Sequence, residues 1–88
     1  MVGDEKLPAI LSVDNYPEWH WVIQNVLRKS KARLVFASSV KEARHLLESE
    51  NFSLVISGVK MPDGSGLDIL SLAEGQEIPF VLCTALLE

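Results

Sequence analysis

Few side chains in this sequence are placed for chemistry, and those that are do not form an evident set. Asp14 and Asn15 follow the apolar run Ala9-Ile-Leu-Ser-Val13, so one carboxylate and one amide carbonyl stand at the end of a strand-like segment. Thr84 closes another such segment, Ile78-Pro-Phe-Val-Leu-Cys-Thr84, where its hydroxyl reads as a strand-end hydrogen-bonding group. Asp63 lies within turn formers between Met61 and Gly66 and reads as a turn residue. His20 and His45 have no Cys or His partner at ligand spacing, so both read as solvated surface histidines. The chain has no Gly-rich phosphate loop, no nucleophile elbow and no paired His and acid near these strand ends.

The elements that must position these groups fit one small domain. The chain has 88 residues, 48% hydrophobic and 23% charged, the composition of a soluble globular protein near the lower size limit for a single core. A net charge of −4 gives no reason to expect nucleic acid or an anionic membrane as a partner. The cluster Arg28, Lys29, Lys31 and Arg33 is explained by a helix C-terminus, where cations complement the dipole. A single cysteine, Cys83, excludes an internal disulfide and suits a reducing cytoplasm. No apolar run approaches the ~18 residues of a membrane helix. Residues 1–7 read as a flexible lead-in, and 8–88 as the domain.

Strand and helix patterns alternate along the chain. The run Ala9–Val13 suits a strand buried on both faces, and Pro17 suits the first turn of a helix. Trp19, Val22, Ile23, Val26 and Leu27 form one apolar stripe on that helix, with Trp21 off it. Leu34–Ala37 reads as a second strand. Ser39 and Glu42 have capping-box spacing and open a helix from Val40 to about Glu50, with Val40, Ala43, Leu46 and Leu47 inward. A third strand begins at Leu54-Val-Ile56, a loop spans Met61–Gly66, a short helix runs from Leu67 to about Ala73, and a fourth strand follows from Ile78. Alternation with short connections predicts a parallel sheet with right-handed crossovers.

The segment Ser53-Leu-Val-Ile-Ser-Gly58-Val-Lys-Met-Pro62-Asp-Gly-Ser-Gly66-Leu-Asp-Ile-Leu70 resembles the centre of a response-regulator receiver domain. Further matches follow in order: Val13-Asp14-Asn15 at the end of the first strand, Ala37, Glu42-Ala43, Phe52 before the third strand, and Pro79-Phe-Val-Leu-Cys-Thr84-Ala85 at the fourth. The resemblance implies a flavodoxin-like, doubly wound α/β sheet of strand order 2-1-3-4-5, with its crevice beyond the ends of strands one and three. It also implies an incomplete copy of about four βα units, lacking the fifth strand and the last helices.

In that family a strand ends on a phosphoacceptor aspartate four residues before the proline of a Met-Pro pair. Here that position is Gly58, which has no side chain to act as nucleophile or ligand. Asp14 matches the first of the family's paired acids, and Asn15 replaces the second. A depleted pocket of one carboxylate and one amide carbonyl should hold Mg²⁺ weakly, if at all. Thr84 matches the family's phosphoryl-contacting hydroxyl. Ser57 cannot replace the acceptor, because neighbouring strand side chains point to opposite faces.

The expected function is that of a pseudo-receiver in a two-component phosphorelay system: no enzyme, no catalytic residue, no cofactor, and protein partners of that pathway in the cytoplasm. One alternative is a fragment of an ordinary phospho-accepting regulator in which Gly58 replaces the acceptor. Another is a small α/β enzyme with an unrelated site. An open fourth strand, Phe80-Val-Leu-Cys83, together with the exposed first-helix stripe, predicts a homodimer through that strand edge or through exchange of Ala85–Glu88.

Overall fold

A computed structural model describes residues 7–83. The lead-in residues 1–6, the expected contact residue Thr84 and the exchange segment 85–88 lie outside the described residues. Strand β1 (Ala9–Val13) is followed by α1 (Pro17–Val26), β2 (Arg33–Ala37), α2 (Val40–Ser49), β3 (Leu54–Ser57), β4 (Lys60–Met61), β5 (Gly64–Ser65), α3 (Gly66–Gly75) and β6 (Phe80–Leu82). The main sheet is parallel with order β2-β1-β3-β6. The alternating pattern predicted such a parallel sheet, and the resemblance implied this flavodoxin-like order.

Every residue of β1 is buried because helices cover both faces of a central parallel strand. Leu11, Val13, Val55, Ile69, Ala43 and Ala73 form the sealed interior with α2 and α3. The inward face of α2 is as expected, with Val40, Ala43 and Leu47 buried and Leu46 packed beside them.

Several expectations need correction. The apolar stripe of α1 is narrower than its sequence: Ile23 is buried, Trp19, Val22 and Leu27 are half-buried, and Val26 is 72% exposed. The helix ends at Val26, so Val26 closes no turn against the sheet. Trp21, off the stripe, is exposed as expected. The basic residues do not sit in the last turn of α1; Arg33 belongs to β2, and its guanidinium pairs with Glu50 at 2.7 Å. The Met61–Gly66 stretch is not wholly loop, because β4 and β5 pair antiparallel around Pro62-Asp63. Helix α3 runs two residues past Ala73, and β6 is shorter than the expected fourth strand. No described helix is long and apolar enough to cross a membrane.

Candidate functional site

The C-terminal ends of β1 and β3 lie side by side, with Val13 opposite Ser57 in register. The ladders run one residue further. The Asp14 amide donates to the Ala37 carbonyl at 3.0 Å, and the Gly58 amide donates to the Val13 carbonyl at 2.8 Å. Asp14 and Gly58 therefore face each other at the switch point of the sheet, where open α/β folds place their ligand crevice.

Asp14 is 5% exposed, and its Oδ1 accepts the Tyr16 amide at 2.8 Å. Burial pushes its carboxyl above the ordinary range, while the Tyr16 amide, the nearby His20 and the Asn15 amide pull less strongly the other way. A β-carbon built at Gly58 would meet Asp14 Oδ2 at 2.5 Å and Cγ at 3.2 Å. The movable end of the Asp14 carboxylate thus crowds the place of a residue-58 β-carbon. Behind it, Ser57 is fully buried and its hydroxyl donates to the Gly58 carbonyl at 2.8 Å. Gly66 leans on the same carbonyl so closely that any β-carbon there would collide with it. The Gly66 amide donates to Val59 at 2.7 Å, which draws the start of α3 against the end of β3.

Other candidate residues occupy different surroundings. Asn15 is exposed at the mouth of the crevice. His20 is not the solvated histidine its position suggested: its ring stacks on Phe36 with centroids 4.6 Å apart at 27°, and its Nε2 is buried without a hydrogen-bond partner. The cause is β2, which brings Phe36 under the helix face that carries His20. His45 is exposed as expected. Asp63 sits in the β4–β5 turn as expected, and its carboxylate also reaches another element. Its Oδ1 accepts the Val40 amide at 2.8 Å and its Oδ2 the Lys41 amide at 2.9 Å. It lies on the α2 N-terminus. Among the described residues, no three His, Cys, Asp or Glu side chains come together as a metal site.

The caps of α2 and α3 differ from the sequence pattern. Ser39 accepts the Glu42 amide at 3.1 Å, yet Glu42 reaches the Ser38 amide at 3.0 Å instead of returning to Ser39. A reciprocal capping box exists instead at Ser65 and Asp68 on α3. Its Ser-x-x-Asp spacing was a readable signal.

A family model for the response regulator receiver domain matches residues 10–88. The chain belongs to this family. The receiver domain is 35% identical over 77 residues to the response regulator protein PilR of Pseudomonas aeruginosa, across 85% of this chain and 17% of that protein. It is 34% identical over 81 residues to the two-component response regulator ORR7 of Oryza sativa subsp. japonica, across 86% of this chain and 39% of that protein. Among solved structures it resembles the signal receiver domain of an HD domain-containing protein from Pseudomonas fluorescens Pf-5, with TM-score 0.84 and 28% identity over 94% of this chain and 68% of that one. It also resembles TrrA of Thermotoga maritima in complex with Mg²⁺-BeF, with TM-score 0.81 and 27% identity over 90% and 70% of the two chains. This chain is a receiver domain of a two-component response regulator, and it spans well under half the length of PilR and ORR7.

Proposed function

We propose that this receiver domain takes no phosphoryl group and works in the cytoplasm as a protein-docking module of a two-component pathway, without enzymatic turnover. The observation that carries this reading is Gly58 at the acceptor position, with Asp14 Oδ2 2.5 Å from the place of an acceptor β-carbon. A carboxylate nucleophile cannot be supplied by a residue without a side chain. The relative TrrA was solved with Mg²⁺-BeF. Here Asp14 spends Oδ1 on the Tyr16 amide, and Asn15 offers an amide in place of a second carboxylate. That donor set does not suit a hard cation that gives up water only to anionic oxygens.

Incubation with acetyl phosphate and Mg²⁺ should leave the intact mass unchanged. A stoichiometric gain of about 80 Da, one phosphoryl group, at any acid would overturn the reading. Millimolar Mg²⁺ should leave the melting temperature unchanged, since a cation binding only the folded state must raise it.

A homodimer is the assembly we favour. Among the described residues β6 pairs on one side only, with β3, and exposes Val81 and Leu82. Sedimentation equilibrium at micromolar concentration should show twice the chain mass, lost in Leu82→Lys. A monomer mass throughout would refute it.

A further inference from the structure

We propose that the outer edge of β2 is a docking site for an extended acidic peptide segment of a partner protein, which adds a strand beside β2. The inference rests on the docking role proposed above, for which it names a surface and a partner chemistry, and it needs nothing from the crevice at Gly58.

Strand β2 closes one side of the main sheet and, among the described residues, pairs only with β1. The Arg33 amide donates to the Pro8 carbonyl at 2.8 Å, and the Ala37 carbonyl accepts the Asp14 amide at 3.0 Å. Backbone polar groups alternate in direction along a strand. Arg33, Val35 and Ala37 therefore turn theirs to β1, and Leu34 and Phe36 turn theirs outward. The amides that flank this pair are satisfied by side chains: Ser30 Oγ accepts the Ala32 amide at 3.2 Å, and Glu42 Oε1 accepts the Ser38 amide at 3.0 Å. The edge is thus blunted at both ends and open in the middle. Its two open residues offer two donors and two acceptors, enough for four bonds to one antiparallel strand. Their side chains are half-buried and share one face of the sheet, so apolar residues placed opposite them add cross-strand contact.

Charge selects the occupant. Lys31 stands three residues before Leu34, within about 10 Å of it along the chain, and Arg28 and Lys29 lie in the turn just before. All three are exposed, and the one ion pair among the described residues, Arg33 with Glu50, does not involve them. A helix C-terminus does not account for them, because the last turn of α1 holds no basic residue. On a chain of net charge −4 they make a local cationic end to the open edge. Glu42 stands at the opposite end. A strand antiparallel to β2 complements this polarity when two alternate apolar residues are followed by Asp or Glu.

The test uses the whole chain and no phosphodonor, so its result is separate from any result on phosphoryl transfer. The probe is the peptide acetyl-Thr-Val-Thr-Val-Gly-Glu-Asp-Glu. At saturation it should slow hydrogen exchange of the Leu34 and Phe36 amides at least about tenfold, as one new hydrogen bond at each requires. The Phe80 and Leu82 amides of the β6 edge should keep their rates. Affinity should fall about tenfold between about 0.05 M and about 0.5 M NaCl. It should fall about tenfold again when Lys29→Glu and Lys31→Glu are combined. The same peptide N-methylated at both valines keeps its charges and loses its strand donors, so it should give no protection. Equal protection by the methylated peptide would reduce the site to charge alone and overturn the proposal. No protection by the parent peptide, or protection at Phe80 and Leu82 instead, also overturns it. Protection of Leu34 and Phe36 that grows with concentration of the free chain would give the edge to a second copy and overturn it as well. Should the charge-reversed variant fail to fold, the methylated peptide still decides.

Discussion

The Asp63 carboxylate grips the Val40 amide at 2.8 Å and the adjacent Lys41 amide at 2.9 Å, so the β4–β5 turn closes the N-terminus of α2. With Ser39 accepting from Glu42, the first three amides of the helix all find oxygen partners. Both backbone bonds favour the ionised form, and they hold the Asp63 carboxyl below its ordinary range. Stability from this group is therefore present above the ordinary carboxylate range and lost as pH falls through the lowered value. Asp63→Ala should lower the melting temperature at pH 7 and flatten the acid limb of its pH profile. An unchanged profile would show that the cap does not contribute. Ser39→Ala, which removes a neutral cap beside it, should cost about 1 kcal/mol without altering that limb.

Asp14 carries the opposite sign. Its raised carboxyl means that the folded chain keeps this proton to higher pH than the unfolded chain does. Its contribution is thus most favourable at low pH and declines as pH rises through the raised value. Asp14→Asn retains an oxygen for the Tyr16 amide and does not titrate. Relative to the unsubstituted chain, it should gain stability near pH 7 and lose that advantage near pH 4. Urea melts at the two pH values decide this, and an advantage larger at pH 4 contradicts it.

Glu77 has φ 59°, a left-handed conformation in a residue with a β-carbon. It completes the end of α3, with its amide donating to Glu74 at 3.0 Å and the Ile78 amide donating to Ala73 at 2.9 Å. Glycine is the usual residue at this position of such a terminus. Glu77→Gly should stabilise the domain by up to about 1 kcal/mol, measured by denaturant midpoint at constant slope. A loss of stability would show that the exposed glutamate makes a compensating contribution.

Leu11 is fully buried at the centre of β1. Leu11→Ala should cost about 2–5 kcal/mol, enough to unfold much of a domain this small at 37 °C. Trp21→Ala, on the exposed side of α1, should stay within about 0.5 kcal/mol. Comparable losses from both would mean that the Trp21 side of α1 is covered in solution.

The alternation of strands and helices and the inward face of α2 were legible because apolar runs and a 3.6-residue stripe report burial directly, whereas the strand order came from the family resemblance. The part of the site that depends on distant partners was not. Nothing local in Pro62-Asp63-Gly64 shows that the carboxylate reaches Val40, because that bond spans two elements brought together only by the sheet. His20 was misread for the same reason: its burial is set by Phe36 on another strand. Asp14 and Gly58 were both visible as residues of interest, but a glycine carries no mark of what fills the space beside it. The end of α3 was placed two residues early, at about Ala73, and the left-handed residue that follows the helix is Glu77.

Strand β1 is paired on both sides, with Ile10 opposite Leu34 on one flank and Leu54 on the other. It also precedes both of these neighbours in the chain. One neighbour, β2, follows after α1, but the other, β3, follows only after α2, so one flank of Ala9–Val13 stays unpaired while two helices are synthesised. Parallel pairing of this kind closes long loops before any contact rewards them, which slows folding. During that interval the central strand of the finished sheet is its most exposed aggregation hazard, and early synthesis is the stage at which a nascent-chain chaperone would matter most to this domain.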